Sequence, residues 1–298
     1  MPELPDVTVY VESLEKRVVG QVLEKVSLKS PFFLRTFNPP IKTIEGQVVR
    51  GIRRIGKRIV FEFDRERFLV FHLMVAGRFR WKDQVGAKLG GKIVLASLEF
   101  SNGTLFVTEA SKKKRASLHL VKGEPVLAEH DPGGLEVMDA SLETFSERLR
   151  SRNHTLKRAL TDPKLFSGIG NAYSDEILNK AGLSPMLLTQ KLRDEDAAQL
   201  FDTTQSLLAE WIDRLRGQFK DRFPGAGEIT AFRPEFSAHG KFGNPCKYCG
   251  TTIQRIRYAE NETNYCPKCQ TSGKILSDRS LARLLKDDWP KTIEELEA

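Results

Sequence analysis

Four cysteines in the last quarter of the chain constrain its fold more tightly than anything else in it. They read Cys246-Lys-Tyr-Cys249, sixteen residues, then Cys266-Pro-Lys-Cys269, and the chain has no others. Two residues between cysteines let a tight turn aim both sulfurs at one ion. Two such knuckles predict a tetrahedral four-thiolate zinc site. The sixteen-residue insert suits a β-hairpin that carries the second knuckle back to the first. A catalytic zinc keeps one position open for water. Four thiolates leave none, so a single structural Zn2+ is expected, and it marks where function is built rather than which reaction is run.

With 298 residues, 40% of them hydrophobic, the chain has room for two or more domains. No run of eighteen apolar residues occurs, so no membrane span is expected. The start, Met1-Pro-Glu-Leu-Pro-Asp6, lacks the basic-then-apolar pattern of a secretory signal. The metal spacing claims every cysteine, and a reducing cytoplasm is the expected setting. The net charge is +8. Lys and Arg neutralise phosphates, so a basic balance beside a zinc ribbon suggests nucleic acid. The charge collects in three runs, Arg50–Arg58, Ser111–Arg115 and Arg148–Arg158. Each alone reads as a solvated face, whereas three together argue for a polyanion groove. The acidic C-terminal residues, Asp287, Asp288, Glu294, Glu295 and Glu297, read as solvated and away from it.

Hydrophobic spacing divides the chain. Val7, Val11, Leu14 and Val18 recur at helical intervals, with Pro5 in the first turn and Gly20 as a stop, which predicts one N-terminal helix. From Val22 to about Val121 the period is two. Ile59, Phe61 and Phe63 alternate with Val60, Glu62 and Asp64, and Ser101-Asn102-Gly103 reads as a hairpin turn. Many strands with Gly-rich turns predict a sandwich or barrel. After Asp131-Pro-Gly-Gly134 the pattern becomes helical, over 142–149, 155–160, 172–181, 194–200 and 203–215, with a short last helix over 277–285.

One turn in the helical half stands out, Gly168-Ile-Gly-Asn171 leading into Ala172-Tyr-Ser-Asp175-Glu176. Asn171 stands where an N-cap is wanted, and Asp175 and Glu176 suit the first turns of a helix. Free amides at a helix start make a phosphate seat. The ordinary reading is a well-capped helix. No βαβ unit surrounds the turn, and a nicotinamide site is excluded.

The N-terminus offers chemistry of its own. Methionine is usually removed when proline follows, leaving Pro2 as a secondary amine. Such an amine condenses with an aldehyde to an iminium that has no N–H proton to lose, an electron sink for β-elimination at an opened sugar. An α-amino group with an ordinary pKa near 8 is partly neutral at pH 7. Glu3 could shuttle protons there.

These signals occur in one order: Met1-Pro-Glu-Leu-Pro5, then Leu156-Lys-Arg158 with Gly168-Ile-Gly-Asn-Ala-Tyr-Ser-Asp-Glu-Ile-Leu178, then the knuckles ending Tyr265-Cys-Pro-Lys-Cys-Gln270. The chain resembles the formamidopyrimidine-DNA glycosylase / endonuclease VIII family of base-excision repair enzymes over about residues 1–275. The resemblance implies an α+β multidomain fold. An N-terminal β-sandwich with an N-terminal helix (1–131) precedes a helical domain with a helix–two-turn–helix motif (135–236), a four-cysteine zinc-finger β-hairpin (240–275) and a tail (276–298). It implies a bifunctional DNA glycosylase and AP lyase, monomeric, acting on double-stranded DNA with a damaged base or an abasic site. Such enzymes flip the damaged base out of the stack to reach its glycosidic bond. Residue by residue, Pro2 looks like the Schiff-base nucleophile and Glu3 the proton donor. Lys57 looks like the strand lysine that holds the flipped nucleotide, Asn171 the phosphate ligand, and Lys157 a second basic contact. Lys114 and Arg115 are the candidate DNA-binding residues of the second basic run, Ser111–Arg115.

The chain departs from the family where the lesion is read. His72-Leu-Met-Val75 replaces the usual His-Leu-Gly-Met, and Glu109-Ala-Ser-Lys-Lys-Lys-Arg-Ala116 replaces a loop with an arginine and a wedging phenylalanine. Asn261 stands where the zinc hairpin usually carries an arginine, and Asp6 and Thr8 replace glutamates. Two other readings stay open: a non-catalytic damaged-DNA-binding relative, and a zinc-ribbon RNA or transcription accessory protein, which leaves the N-terminus unexplained.

Overall fold

The computed structural model describes residues 1–258, 261–278, 283–284 and 290–297. Most of the expected helix over 277–285, and Asp287 and Asp288, lie outside the described residues. The chain divides into two compact units, Met1–Pro132 with Glu210–Thr230, and Gly133–Ala209 with Ala231–Ala298.

The first unit opens with helix α1, Leu4–Val18, started by Pro5 and by a reciprocal capping box between Glu3 and Asp6. Nine strands follow: β1 Val22–Leu28, β2 Gln47–Val48, β3 Gly51–Ile55, β4 Arg58–Phe63, β5 Arg67–His72, β6 Gly77–Lys82, β7 Val94–Phe100, β8 Gly103–Glu109 and β9 Ser117–Lys122. They form two antiparallel sheets, ordered β2-β1-β7-β8-β6 and β3-β4-β5-β9.

The period-two pattern explains the layering, because alternate residues of a strand face opposite sides. Ile59, Phe61 and Phe63 of β4 join one buried core with Phe79, Leu98 and Leu105 of the other sheet and Val7, Tyr10 and Leu14 of α1. Val60, on the reverse face, packs with Phe68, Val70 and Val121 under Leu127 of a short helix, α2, Glu124–Ala128. Both faces of the β3-β4-β5-β9 sheet are therefore apolar in part. Leu215, Phe219 and Ile229 bury in the main core as well, and Arg216 makes a two-armed ion pair with Glu12 of α1 at 2.7–3.1 Å.

Gly103 is the first residue of β8, paired with Phe100, so the turn contains only Ser101 and Asn102. A Cβ at Gly103 would lie 2.3 Å from the Trp81 ring. The glycine serves close packing rather than the turn.

The second unit holds α3 Leu142–Arg150, α4 Leu156–Thr161, α5 Asn171–Lys180 and the start of α6, Asp194–Gln218. Thr155 caps α4 as expected from its side-chain oxygen, and Ser141 caps α3. The segments 194–200 and 203–215 are one helix. No Gly or Pro separates them, and Phe201, Thr204 and Leu208 continue the buried stripe. Phe145 packs on Phe166 and Phe201, with ring centres 4.8 and 5.3 Å apart. The hairpin β10 Gln254–Tyr258 and β11 Asn261–Tyr265 then leads into a one-turn helix, α7, Pro267–Thr271. Among the described residues no helix is long and apolar enough to cross a membrane.

Candidate DNA-processing site and zinc centre

In the first unit Pro2 and Glu3 are buried at the head of α1, and Glu3 N–H donates to Asp6 Oδ2 at 2.9 Å. The capping box holds Glu3 in one place. Burial pulls the pKa of the terminal amine below its usual value. Glu3 and Asp6 oppose that shift, and the cations Arg78 and Lys57 add to it. A carboxylate pair on α1 and two cations from elsewhere thus share the neighbourhood of the N-terminus. Lys57 comes from the two-residue turn between β3 and β4 rather than from a strand, with Gly56 supplying the left-handed φ of +58°.

Arg78 was not legible as a site residue. It is the second residue of β6, and its Nη1 donates to Val75 O at 3.0 Å and Gly77 O at 2.6 Å. It thereby braces the turn at residues 73–77. Gly77 N–H closes that turn on Leu73 O at 2.8 Å, and a Cβ on Gly77 would fall 2.2 Å from the same oxygen. Met74 adopts φ +52°, so the backbone lifts Val75 out, and Val75 is 59% exposed.

His72 stands beside Arg58 and Lys57. Burial first, and then the cations, push its pKa down to about 4. Burial, His130, Arg58 and Arg35 do the same to His119. The His119 and His130 rings meet edge-on at 4.8 Å.

The basic run at 112–115 follows from one buried acid. Glu109 accepts the backbone N–H groups of Arg115 and Ala116 at 3.1–3.2 Å, and its carbonyl accepts Lys114 Nζ. Lys112–Arg115 are exposed around that anchor.

In the second unit the Gly turn places Asn171 as the first residue of α5, with Gly170 at the cap position. Asn171 does not cap its own helix. Its Nδ2 reaches across to Glu262 O of the hairpin at 2.9 Å. Lys157 is buried. Its Nζ donates to Asn171 O at 2.6 Å and pairs with Asp175 Oδ1. Asp175 Oδ2 also contacts His239 Nδ1 at 2.7 Å and accepts from Asn264 N at 3.1 Å. Glu176 accepts three consecutive backbone N–H groups, from Ser237, Ala238 and His239, at 2.7–2.8 Å. These two acids are internal ties between α5, the hairpin and the 237–239 turn. Sequence reading gave them only a helix-dipole role because their partners on the hairpin and the 237–239 turn lie 61–89 residues away.

The four cysteine sulfurs lie within 4.8 Å of one another, close enough for all four to share one tetrahedral ion. Backbone N–H groups of Tyr248 and Cys269 point at Cys246 Sγ and Cys266 Sγ at 3.4 Å. Thiolates gain from such donors, so the donor set fits one zinc held by sulfur alone.

Three family models match the chain: the formamidopyrimidine-DNA glycosylase N-terminal domain over residues 1–125, the formamidopyrimidine-DNA glycosylase H2TH domain over 134–222, and the zinc finger found in FPG and IleRS over 243–271. The formamidopyrimidine-DNA glycosylase of Heliobacterium modesticaldum is 30% identical over 277 residues, covering 91% of this chain and all of that protein. That of Desulfitobacterium hafniense is 31% identical with the same coverage. Among solved structures, the Lactococcus lactis Fpg bound to abasic-site DNA is 29% identical with a TM-score of 0.79, covering 90% of this chain and 99% of that one. A MutM complex with carbocyclic 8-oxo-G DNA is 28% identical with a TM-score of 0.78, covering 91% and 100%.

Proposed function

The chain belongs to the formamidopyrimidine-DNA glycosylase family, and from that membership we propose a DNA-repair glycosylase and AP lyase that works through Pro2. The observation that carries the proposal is the buried Pro2–Glu3 pair at the head of α1, with Lys57 and Arg78 within electrostatic reach of the Met1 amine that precedes it. Once Met1 is removed, the Pro2 nitrogen bonds to C1′ of the flipped nucleotide as the bond to the damaged base breaks, and the base leaves with a proton. Opening of the sugar ring gives the iminium. Loss of a C2′ proton then expels the 3′ phosphate, and water releases the enzyme. Glu3, fixed by its capping box, carries protons between sugar and base. A cation beside an amine favours its neutral form, and Lys57 and Arg78, which face the Met1 amine, stand near enough to act on Pro2 once it becomes the terminus.

Lys57 and Asn171 hold backbone phosphate. Lys114 and Arg115, exposed on the loop anchored by Glu109, add charge along the DNA. Lys157 acts from behind by fixing the Asn171 carbonyl. One zinc on Cys246, Cys249, Cys266 and Cys269 fixes the hairpin and takes no part in the reaction. The protein acts as a monomer in the cytoplasm.

Borohydride trapping on an abasic-site duplex tests the proposal. A covalent adduct should form with processed protein and vanish when an N-terminal tag blocks Pro2. Pro2→Gly, which keeps a terminal amine, should retain part of it. Trapping at the native rate by tagged, unprocessed protein overturns the Pro2 assignment.

A further inference from the structure

The zinc hairpin has an open edge. In β10–β11 the pairs run from Gln254 with Tyr265 to Tyr258 with Asn261. In an antiparallel ladder every second residue turns its N–H away from the partner strand. An unpaired edge N–H either meets water or needs an acceptor supplied from outside the sheet.

Arg257 has such an acceptor. Its N–H donates to Asp278 Oδ2 at 2.6 Å, and Asp278 is only 2% exposed. The segment that brings Asp278 there begins where α7 ends, with Ser272 in the left-handed region at φ +52°. It is tied along its length. Leu276 N–H donates to the hydroxyl of fully buried Tyr265 at 2.7 Å. Ile275 N–H donates to Lys291 O at 2.9 Å, and Ile293 N–H to Gly273 O at 3.1 Å. Ile293 and Leu296 of the short C-terminal helix Ile293–Glu297 line one cavity with Thr252, Gln254 and Pro267 beside the hairpin. The zinc-finger family model ends at residue 271, so at least one partner of each of these ties lies beyond the matched region.

Arg257 is a telling residue to hold. It is exposed and stands one register step from the pair that ends the hairpin, across from Glu262. Residues 259–262 are Ala-Glu-Asn-Glu, so Arg257 is the cation nearest the tip in sequence.

We propose that the segment from Gly273 to Asp278 is a strap on the open edge of the zinc hairpin, and that Asp278 is a positioning residue which presents Arg257 to a DNA phosphate. A carboxylate held to the backbone N–H of residue 257 fixes the strand from which the guanidinium projects. It leaves the guanidinium itself to the ligand. The proposal rests on the DNA-processing function given above and adds a residue and a segment to it.

Three full-length variants test it: Asp278→Ala, Asp278→Asn and Arg257→Gln. Amide hydrogen exchange reads the strap directly. In Asp278→Ala the Arg257 amide should exchange about ten-fold faster or more, the size expected when a charged acceptor is lost. Asp278→Asn keeps an acceptor oxygen and should hold exchange near the native rate. On an abasic duplex, Asp278→Ala should raise KM several-fold at unchanged kcat and unchanged zinc content. In the Arg257→Gln background the same substitution should add nothing, because residues acting through one contact are non-additive. Native exchange at Arg257 in Asp278→Ala overturns the strap. Faster exchange with native KM, or full additivity with Arg257→Gln, overturns the positioning role. Wild-type protein that fails to bind duplex DNA overturns the underlying function instead, and the exchange measurement still decides whether Asp278 holds the hairpin.

Discussion

Lys157 and Asp175 form a buried ion pair whose ammonium also holds the carbonyl of Asn171, so a lysine in the basic run at 148–158 braces the first turn of α5 from inside. Breaking a buried pair by removing one partner typically costs about 3–5 kcal/mol, because the other charge is left uncompensated. Lys157→Met should therefore lower the melting temperature of the second unit sharply. Its charge is already neutralised by Asp175, so the salt dependence of the remaining DNA binding should keep its slope. Lys57→Met should do the opposite, with near-native stability and a slope of log K against log salt smaller by about 0.9. Titrations at several salt concentrations check both. A reduced slope in Lys157→Met would return that residue to the DNA surface.

Glu3→Gln should separate the two reactions. The amide keeps an acceptor for the capping box and cannot donate a carboxyl proton. Excision of a damaged base should fall by about 10²–10⁴-fold, the usual worth of general acid–base catalysis. Trapping on a preformed abasic site should fall much less. Equal losses on both substrates would assign Glu3 to building the helix start rather than to proton transfer.

Cys266→Ser should release zinc and weaken duplex binding while the first unit keeps its thermal transition, since metal binding supplies folding free energy locally. Elemental analysis beside calorimetry checks this. Active protein without zinc would overturn the metal assignment.

His72 and His119 predict an acid limb in stability. Both have folded-state pKa values near 4, below the ordinary 6.5. Between those values the unfolded chain binds protons that the folded chain refuses, so stability falls as pH drops from about 6.5 to 4 and levels off below. Melting curves across that range should show the decline. His72→Gln should flatten it in part, and a melting temperature independent of pH over that window would remove the histidines from the account.

The zinc knuckles, the first helix and the sandwich were legible because each is written in residues close together, as spacing of cysteines or as period 3.6 or 2. What escaped depends on partners far along the chain. Asp175 and Glu176 look like ordinary early-helix acids until His239, Asn264 and Ser237 arrive. Arg78 is one basic residue among 47 Lys and Arg until the Val75 turn closes on it. Gly103 reads as a turn glycine until Trp81 packs against it. The family resemblance implies a strand position for Lys57, and the left-handed φ of Gly56 turns the chain there instead.

Excision should be weak on 8-oxoguanine opposite cytosine in intact duplex and comparatively better on abasic or loosely stacked lesions. Flipping opens a hole whose unstacking costs a few kcal/mol. The turn at 73–77 exposes a short Val75 and the loop at 112–115 exposes lysines and an arginine, none of which stacks as an aromatic wedge would. A rate panel over these substrates at one salt concentration checks this, and fast, cytosine-selective excision of 8-oxoguanine would sink it.

The bend at residues 73–77 makes Val75 a built-in depth gauge. The positive φ falls on Met74, Gly77 leaves no room for a Cβ, and Arg78 grips the carbonyls of Val75 and Gly77, so the Val75 side chain is left exposed on a fixed backbone. A graded series there, from Ala through Val and Leu to Met and Phe, changes reach without disturbing the mount. The side-chain length at which excision peaks would measure how deep the vacated stack is.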